Sequence, residues 1–411
     1  MLLPASLAER ALHTRLAGLR SGRLRLRDGG AAAEFGDPAA PPLEIVVRDR
    51  RFYAAAIGGG ALGAAEAYIR GWWTTDDLTG VVRLLLRNRA ALEHLEGGWA
   101  RVAGGLRRIA NLLRRNTRRG SRRNIRAHYD LGNEFFALFL DDTLTYSCGL
   151  FERPGASLRD ASLAKHERIA ALAALGPEDH VLEIGAGWGA FAVHVARRIG
   201  CRVTATTISA EQHRFARERV AAAGLEDRVT VLRQDYRDLA GVYDKLVSIE
   251  MIEAVGYEHF GTFFRKCADL LKPTGRLAIQ AITIPDERYE AARREVDFIK
   301  RYIFPGGGLP SRAVLREAAA ATDLRLERAD EIGPHYAETL RRWRENFARH
   351  RARIAALGFD ERFLRMWEFY FSYCEGAFHE RAIGDVQLAF AKPAAGALAD
   401  VGPVPLVGAA A

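Results

Sequence analysis

No run of this 411-residue sequence approaches the ~18 apolar residues of a membrane-spanning helix. The first twenty residues break their apolar positions with Glu9, Arg10, His13, Arg15 and Arg20, which excludes a secretory signal peptide. Cysteine is scarce. Cys148, Cys201, Cys267 and Cys374 lie far apart and form no CxxC pair, which argues against a zinc site or disulfide framework and fits a reducing cytoplasm. No metal site is expected, and no internal repeat is visible.

Acidic residues are missing from one long stretch. Residues 101–126, "RVAGGLRRIANLLRRNTRRGSRRNIR", hold ten arginines and no acid. Residues 1–126 carry a net charge of +12 and residues 127–411 a net of −3, so the whole basic excess is N-terminal. Such a segment seeks phosphates, of nucleic acid or of a membrane surface. No aromatic residue interleaves the arginines, which weakens single-strand nucleic-acid binding. The spacing of Leu106, Ile109, Leu112 and Leu113 suits an amphipathic helix lying on an anionic bilayer.

What is present divides the chain. Residues 1–100 read as a small mixed α/β domain, 101–126 as an Arg-rich connector, 127–392 as a catalytic domain, and 393–411 as a Pro/Ala/Gly-rich disordered tail. In the third segment strands and helices alternate. Apolar runs at 180–189 (entering a glycine turn), 201–209, 228–235, 244–251 and 276–284 predict strands. Ser157 with Asp160, and Ser209 with Gln212, stand at capping-box spacing before helical patterns, and Gly224 marks a helix stop. A further helix is expected near 258–271, before Pro273 and Gly275. The rhythm predicts a Rossmann-like α/β fold, a mostly parallel sheet with helices on both faces. Ligands of such sheets sit at the carboxyl ends of the strands.

There the first strand runs into "EIGAGWG", with Glu183 before Gly185, Ala186, Gly187 and Gly189. Glycines make the tight strand-to-helix turn and let backbone approach a ligand. The GxGxG spacing differs from a dinucleotide GxGxxG and resembles the S-adenosylmethionine loop of class I methyltransferases. Thr207, Ile208 and Gln212 follow the second strand, where an acid often holds the cofactor ribose in these enzymes. That acid is missing here, and Thr207 and Gln212 must substitute for it. Asp235 and Tyr236 end the third strand, where the adenine is expected. "SIEMIEAVG" (248–256) ends the fourth strand with Glu250 and Glu253, and burying carboxylates costs several kcal/mol unless they are paired.

Six stretches together resemble the cyclopropane-fatty-acyl-phospholipid synthases and the related mycolic acid cyclopropane synthases. They are "HYDLGNEFFALFLDDTLTYSCGLFE" (128–152), "VLEIGAGWGAFAVHVA" (181–196), "TTISAEQ" (206–212), "EMIEAVG" (250–256), "RYIFPGGGLPS" (301–311) and "GPHYAETLRRW" (333–343). "YIRGWW" (68–73) resembles the N-terminal, lipid-associated domain of longer members. The resemblance implies methyl transfer from S-adenosylmethionine to the cis double bond of an unsaturated phospholipid chain. A carbocation follows, and its deprotonation by a bound bicarbonate closes a cyclopropane.

Carried over residue by residue, the base site comprises the backbone of Cys148, Glu253, the backbone of Ile282, and Tyr336. Glu253 is expected to orient the bicarbonate, and Tyr336 to donate its hydroxyl to it. Many members carry His-Thr-Ile where this chain has Gln280-Ala281-Ile282. Gln280 donates a hydrogen bond but cannot act as an acid or base. A changed deprotonation step would give a methylene- or methyl-branched chain, which is the alternative reading, beside methylation of another lipid-like substrate. Cofactor contact is implied for Tyr146, Ser147, Gly185, Gly187, Thr207 and Gln212. Glu250 is placed near the methionine part of the cofactor, as a contact or as a shaper of the turn. Eight aromatics in 359–378 read first as helix core and second as an acyl-channel lining.

The expected partners are unsaturated phospholipid and an anionic membrane surface, with no nucleic acid and room for a homodimer. The expected location is cytoplasmic, on the inner face of the cytoplasmic membrane. No Asn/Asp-Pro-Pro-aromatic tetrapeptide or catalytic cysteine pair appears, which sets nucleic-acid methylation aside.

Overall fold

The structure, a computed structural model, describes residues 4–93, 131–405 and 407. The Arg-rich connector and the last four residues of the tail lie outside the described residues, as do 128–130 of the first family-like stretch. No helix among the described residues is long and apolar enough to cross a membrane.

The chain forms two units. One joins the N-terminal residues to Arg294–Ile303 and Leu340–Ala382, and the other takes the remainder from residue 131 on. The expected continuous domain over 127–392 is therefore corrected: two of its segments fold with the N-terminal residues. The N-terminal unit holds strands β1 (Arg23–Asp28), β2 (Ala31–Gly36), β3 (Pro42–Val47) and β4 (Trp73–Thr74), in the sheet order β2-β1-β3-β4. Leu24 and Leu26 on β1 and Ile45 and Val47 on β3 alternate inward, at the period of a half-buried strand. Helix Glu361–His379 starts where Asp360 accepts from the Phe363 N–H, and it buries Trp367, Phe369, Tyr370, Phe371 and Phe378. It packs closely on helix Leu78–Arg87, because a Cβ at Gly376 would stand 2.8 Å from Val82. Arg365 donates to the carbonyl oxygens of Tyr68 and Trp73. Five of the eight aromatics in 359–378 are thus core of this unit, and Phe359, Phe363 and Tyr373 are half-buried.

The second unit carries a seven-stranded sheet in the order β10-β11-β9-β8-β5-β6-β7. Its strands are β5 (His180–Ile184), β6 (Arg202–Thr207), β7 (Val229–Arg233), β8 (Tyr243–Ile249), β9 (Leu271–Thr283), β10 (Arg325–Glu331) and β11 (Gly384–Ala391). β7, β6, β5, β8 and β9 are parallel, while β11 runs antiparallel to β9 and β10 antiparallel to β11. The strand order reverses between β5 and β8, so a crevice opens beyond Ile184 and Ile249. Helix Phe260–Leu270 buries Phe263, Phe264 and Cys267 beneath the sheet. A fully buried phenylalanine contributes about 1.5–3 kcal/mol.

Helix Leu158–Leu172 starts with the expected reciprocal box of Ser157 and Asp160. The second expected box is only half formed. Ser209 accepts from the Gln212 N–H, but Gln212 Oε1 accepts from Thr207 Oγ1 instead of from the Ser209 backbone. The tail is also corrected, because residues 392–405 run along this unit instead of being disordered. Arg276 donates to the Gly396 oxygen, Arg168 and Arg328 to that of Gly402, and His335 Nε2 to that of Pro405. Leu398 and Val401 pack on the core. Composition suggests disorder, but these donors and two apolar anchors outweigh it.

Candidate active site

The strand ends at the crevice gather the predicted residues. Gly185, Gly187 and Gly189 all have positive φ (99°, 51° and 81°), which only glycine adopts cheaply. A Cβ at Gly185 would meet Met251 at 2.9 Å, and one at Gly189 would meet Ala216 at 3.0 Å. At Gly187 a Cβ would meet nothing within 4 Å, so there the loop faces open space. The Gly185 and Ala186 N–H groups both donate to the Thr206 oxygen, which pins the loop to β6.

Around this cradle stand the other cofactor candidates. Glu183 is buried, its Oε2 has no partner, and burial pushes its carboxyl up to about 8 against the pull of Lys165. Ser147 Oγ accepts from the buried Lys165 Nζ at 2.6 Å. Tyr146 packs edge-on against Phe136 and Phe139. Thr207 and Gln212 are tied together, and Ile208 follows Thr207 between β6 and its helix. Asp235 is ion-paired with Arg237 at 2.7 Å, and beside it the buried Tyr236 hydroxyl has no partner. A glycine cradle with open space, an orphaned buried carboxyl and an orphaned phenol fit S-adenosylmethionine, which offers an ammonium, a carboxylate, ribose hydroxyls and adenine nitrogens.

Deeper in the crevice the structure exchanges the two glutamates. Glu250 Oε1 accepts from the Cys148 N–H at 2.8 Å and from Gln280 Nε2 at 2.7 Å. Its Oε2 accepts from the Tyr336 hydroxyl at 2.6 Å. Glu253 Oε1 accepts from the Ile282 N–H at 2.6 Å, and its Oε2 is enclosed with no partner. The base-site expectation is corrected accordingly: Cys148, Gln280 and Tyr336 converge on Glu250, and Ile282 alone goes to Glu253. The cause lies in the backbone. Glu250 takes a left-handed φ of 47° immediately after β8, and its N–H donates to the Gln280 oxygen. The chain then makes a tight turn over Ile252–Ala254, which aims Glu253 elsewhere.

Two residues that motif reading missed complete the cluster. Asp385 and Gln387 lie on one face of β11, and Gln387 pairs in register with Gln280 on β9. Gln387 Nε2 donates to Gln280 Oε1 at 3.0 Å, which turns Gln280 Nε2 toward Glu250 and Asp385. Burial, then the charges of Glu250 and Glu253, push the Asp385 carboxyl well above the usual carboxylate range. Burial, with Glu250 adding to it, pushes Glu253 up to about 8. Burial also pushes the Cys148 thiol up, which removes it as a thiolate nucleophile. The signal for Asp385 and Gln387 was present: two polar residues inside the apolar pattern "DVQLAFA". Lys165, buried on helix Leu158–Leu172, gave a similar one.

A mostly parallel sheet with a glycine cradle at its reversal point, lined by orphaned polar groups, suits an S-adenosylmethionine-dependent methyltransferase, and the relatives of this chain are enzymes of that class. A family model described as mycolic acid cyclopropane synthetase matches residues 116–388, and the chain belongs to that family. It is 42% identical to the tuberculostearic acid methyltransferase UfaA1 of Mycobacterium tuberculosis over 391 residues, 91% of this chain and 90% of that one. It is 35% identical to the cyclopropane-fatty-acyl-phospholipid synthase of Escherichia coli K12, over 85% of this chain and 88% of that one. Among solved structures it resembles the mycolic acid cyclopropane synthase CmaA1 complexed with SAH and CTAB. The TM-score is 0.63 at 32% identity, over 66% of this chain and 98% of that one. The family is one of S-adenosylmethionine-dependent lipid methyltransferases and cyclopropane synthases.

Proposed function

We propose that this enzyme methylates the cis double bond of an unsaturated phospholipid acyl chain and leaves a one-carbon branch. When bound, S-adenosylmethionine supplies an electrophilic methyl group. The observation that carries the reading is the Glu250 cluster: a carboxylate held by Cys148, Gln280 and Tyr336, where ring-forming relatives are expected to use histidine and bicarbonate. A relative with 42% identity is named a methyltransferase and not a cyclopropane synthase. The ring-forming reading keeps one support, the relative with 35% identity that carries the synthase name.

An alkene has no proton whose removal would activate it, so the protein works by excluding water and by matching the cation with negative charge. Glu250 provides that charge at a fixed place. Gln280 cannot take up a proton, so it orients Glu250 without competing for the one released. The Arg-rich segment brings the enzyme to the anionic inner face of the membrane.

The test incubates purified protein and S-adenosylmethionine with vesicles of cis-unsaturated anionic phospholipid at low and high salt. Acyl products are read by mass spectrometry and NMR. Gain of one CH2 with vinylidene signals, and vesicle binding weakened by salt, are the expected results. No CH2 gain would sink the reading, and cyclopropane proton signals would move it to ring formation.

Glu183 is proposed to face the cofactor's ammonium, which supplies the partner its Oε2 lacks. Its carboxyl is neutral below about 8 in the free enzyme, and a cation beside it favours ionisation. Binding below that pH therefore releases a proton, and affinity rises with pH, by at most about tenfold per unit. Calorimetry in buffers of different ionisation heat should show the proton in the wild type and none in Glu183→Gln. An identical slope in the two proteins would remove Glu183 from the cofactor site.

A further inference from the structure

We propose that the Glu250 carboxylate is this enzyme's built-in proton acceptor, standing where the family resemblance calls for a bound bicarbonate. The inference rests on the alkene-methylation reading above.

The donor set argues first. The Cys148 N–H, the residue-280 side chain and the Tyr336 hydroxyl are assigned by the resemblance to the bicarbonate. In this chain all three end on Glu250, at 2.8, 2.7 and 2.6 Å. A free anion could use these donors only by displacing Glu250, and the two negative charges would then stand side by side. The residues present do not fit bicarbonate. The Ile282 N–H, which the resemblance also assigns to the anion, is taken by Glu253 Oε1.

The backbone argues second. Glu250 has a φ of 47°, a conformation that favours glycine. Glycine would relieve that strain and also empty the donor site. A side chain kept at a strained position, with both carboxylate oxygens received by preset donors, is a group held for use.

The third argument is orientation. Gln387 fixes the Gln280 amide so that its NH2 points at Glu250. A carboxylate offers about four lone-pair positions. Cys148, Gln280 and Tyr336 take three of them, and the neighbouring Asp385 side chain also bonds to Glu250, so the carboxylate is held from several sides.

The step balances without a further reagent. After methyl transfer the acyl chain is a carbocation next to the carbon that bears the new methyl. A C–H bond of that chain breaks, and its proton goes to a Glu250 oxygen. The C–H electron pair forms a C=C bond once a hydride has moved from the methyl-bearing carbon to the cationic one, or closes a ring if none has. Glu250 then passes the proton to solvent. A saturated branch would need a separate reductant and is no part of this step.

The test compares turnover on cis-unsaturated phospholipid vesicles in CO2-free buffer and in buffer with added bicarbonate. Wild-type rates are expected to agree within about twofold. Glu250→Gly, which relieves the strained φ, should fold, retain S-adenosylmethionine binding by calorimetry, and lose at least about a hundredfold in rate. Added bicarbonate should restore at least a tenth of the lost activity by entering the vacated donors. Wild-type turnover that collapses without bicarbonate overturns the inference, as does undiminished turnover in Glu250→Gly. Loss of cofactor binding in that variant overturns it as well, in favour of a cofactor seat. If the wild type shows no CH2 gain in either buffer, the alkene reading itself fails, separately from this one.

Discussion

Gly185→Val is expected to abolish measurable S-adenosylmethionine binding and to lower the thermal midpoint of the enzyme. Gly185 has a φ of 99°, which a β-branched residue adopts only as an outlier, at a cost of about 1–3 kcal/mol. The new Cβ would also stand 2.9 Å from both Cβ and Cγ of Met251. Met251 directly follows Glu250, so relief of that clash displaces the glycine cradle and the carboxylate cluster together. Gly187→Ala is the control that separates fold from ligand. Its φ of 51° is left-handed, with a cost of about 1–2 kcal/mol, but its Cβ meets no protein atom within 4 Å. Its midpoint should fall only slightly while cofactor affinity drops by calorimetry. Normal affinity in Gly187→Ala would show that the open side of the loop is not the cofactor's bed.

The sequence shows the parallel half of the sheet well and the antiparallel edge poorly. β5, β6, β7, β8 and β9 are apolar runs separated by capped helices, and each lies within a residue or two of its expected place except at the start of β9. β10 was hidden because it is mostly exposed and charged, "RLERADE", with no apolar alternation. β11 was hidden by distance, since it pairs with β9 across about a hundred residues. The unit boundary failed for the same reason. Helix Glu361–His379 reads as part of the catalytic domain in linear order, yet Arg344 and Thr79 meet on the buried Glu375.

Within the site, the set of residues was legible but their pairing was not. Cys148, Gln280, Ile282, Tyr336 and both glutamates were identified from motifs. Which glutamate receives the donors depends on one left-handed φ at Glu250 and one tight turn after it. A three-residue spacing carries neither fact.

Tyr336→Phe should lower kcat by about 10- to 100-fold and leave the KM for S-adenosylmethionine within about twofold. The hydroxyl donates to Glu250 Oε2 at 2.6 Å, and a hydrogen bond to a charged group contributes about 1.5–3 kcal/mol. Its aim is set by the start of helix Gly333–Arg349. There the Phe151 N–H donates to His335 Nδ1 and the Gly149 N–H donates to Thr339 Oγ1. These two bonds bind the Cys148 loop to the turn that carries Tyr336, so both donors to Glu250 move as one body. Because His335 Nδ1 accepts, Nε2 carries the hydrogen and donates to the Pro405 oxygen at 2.9 Å, which anchors the tail to the same turn. The ring of Tyr336 stays buried in the phenylalanine variant, so packing changes little and the thermal midpoint should shift by only a few degrees. Glu250 then loses the donor on Oε2 while Cys148 and Gln280 still hold Oε1. In the proposed reaction its carboxylate can then turn away from the cation, which raises the barrier without touching the cofactor. A purely structural tyrosine would instead lower stability with kcat unchanged. A fall in kcat with an unchanged KM for the cofactor shows that the hydroxyl acts through its hold on Glu250.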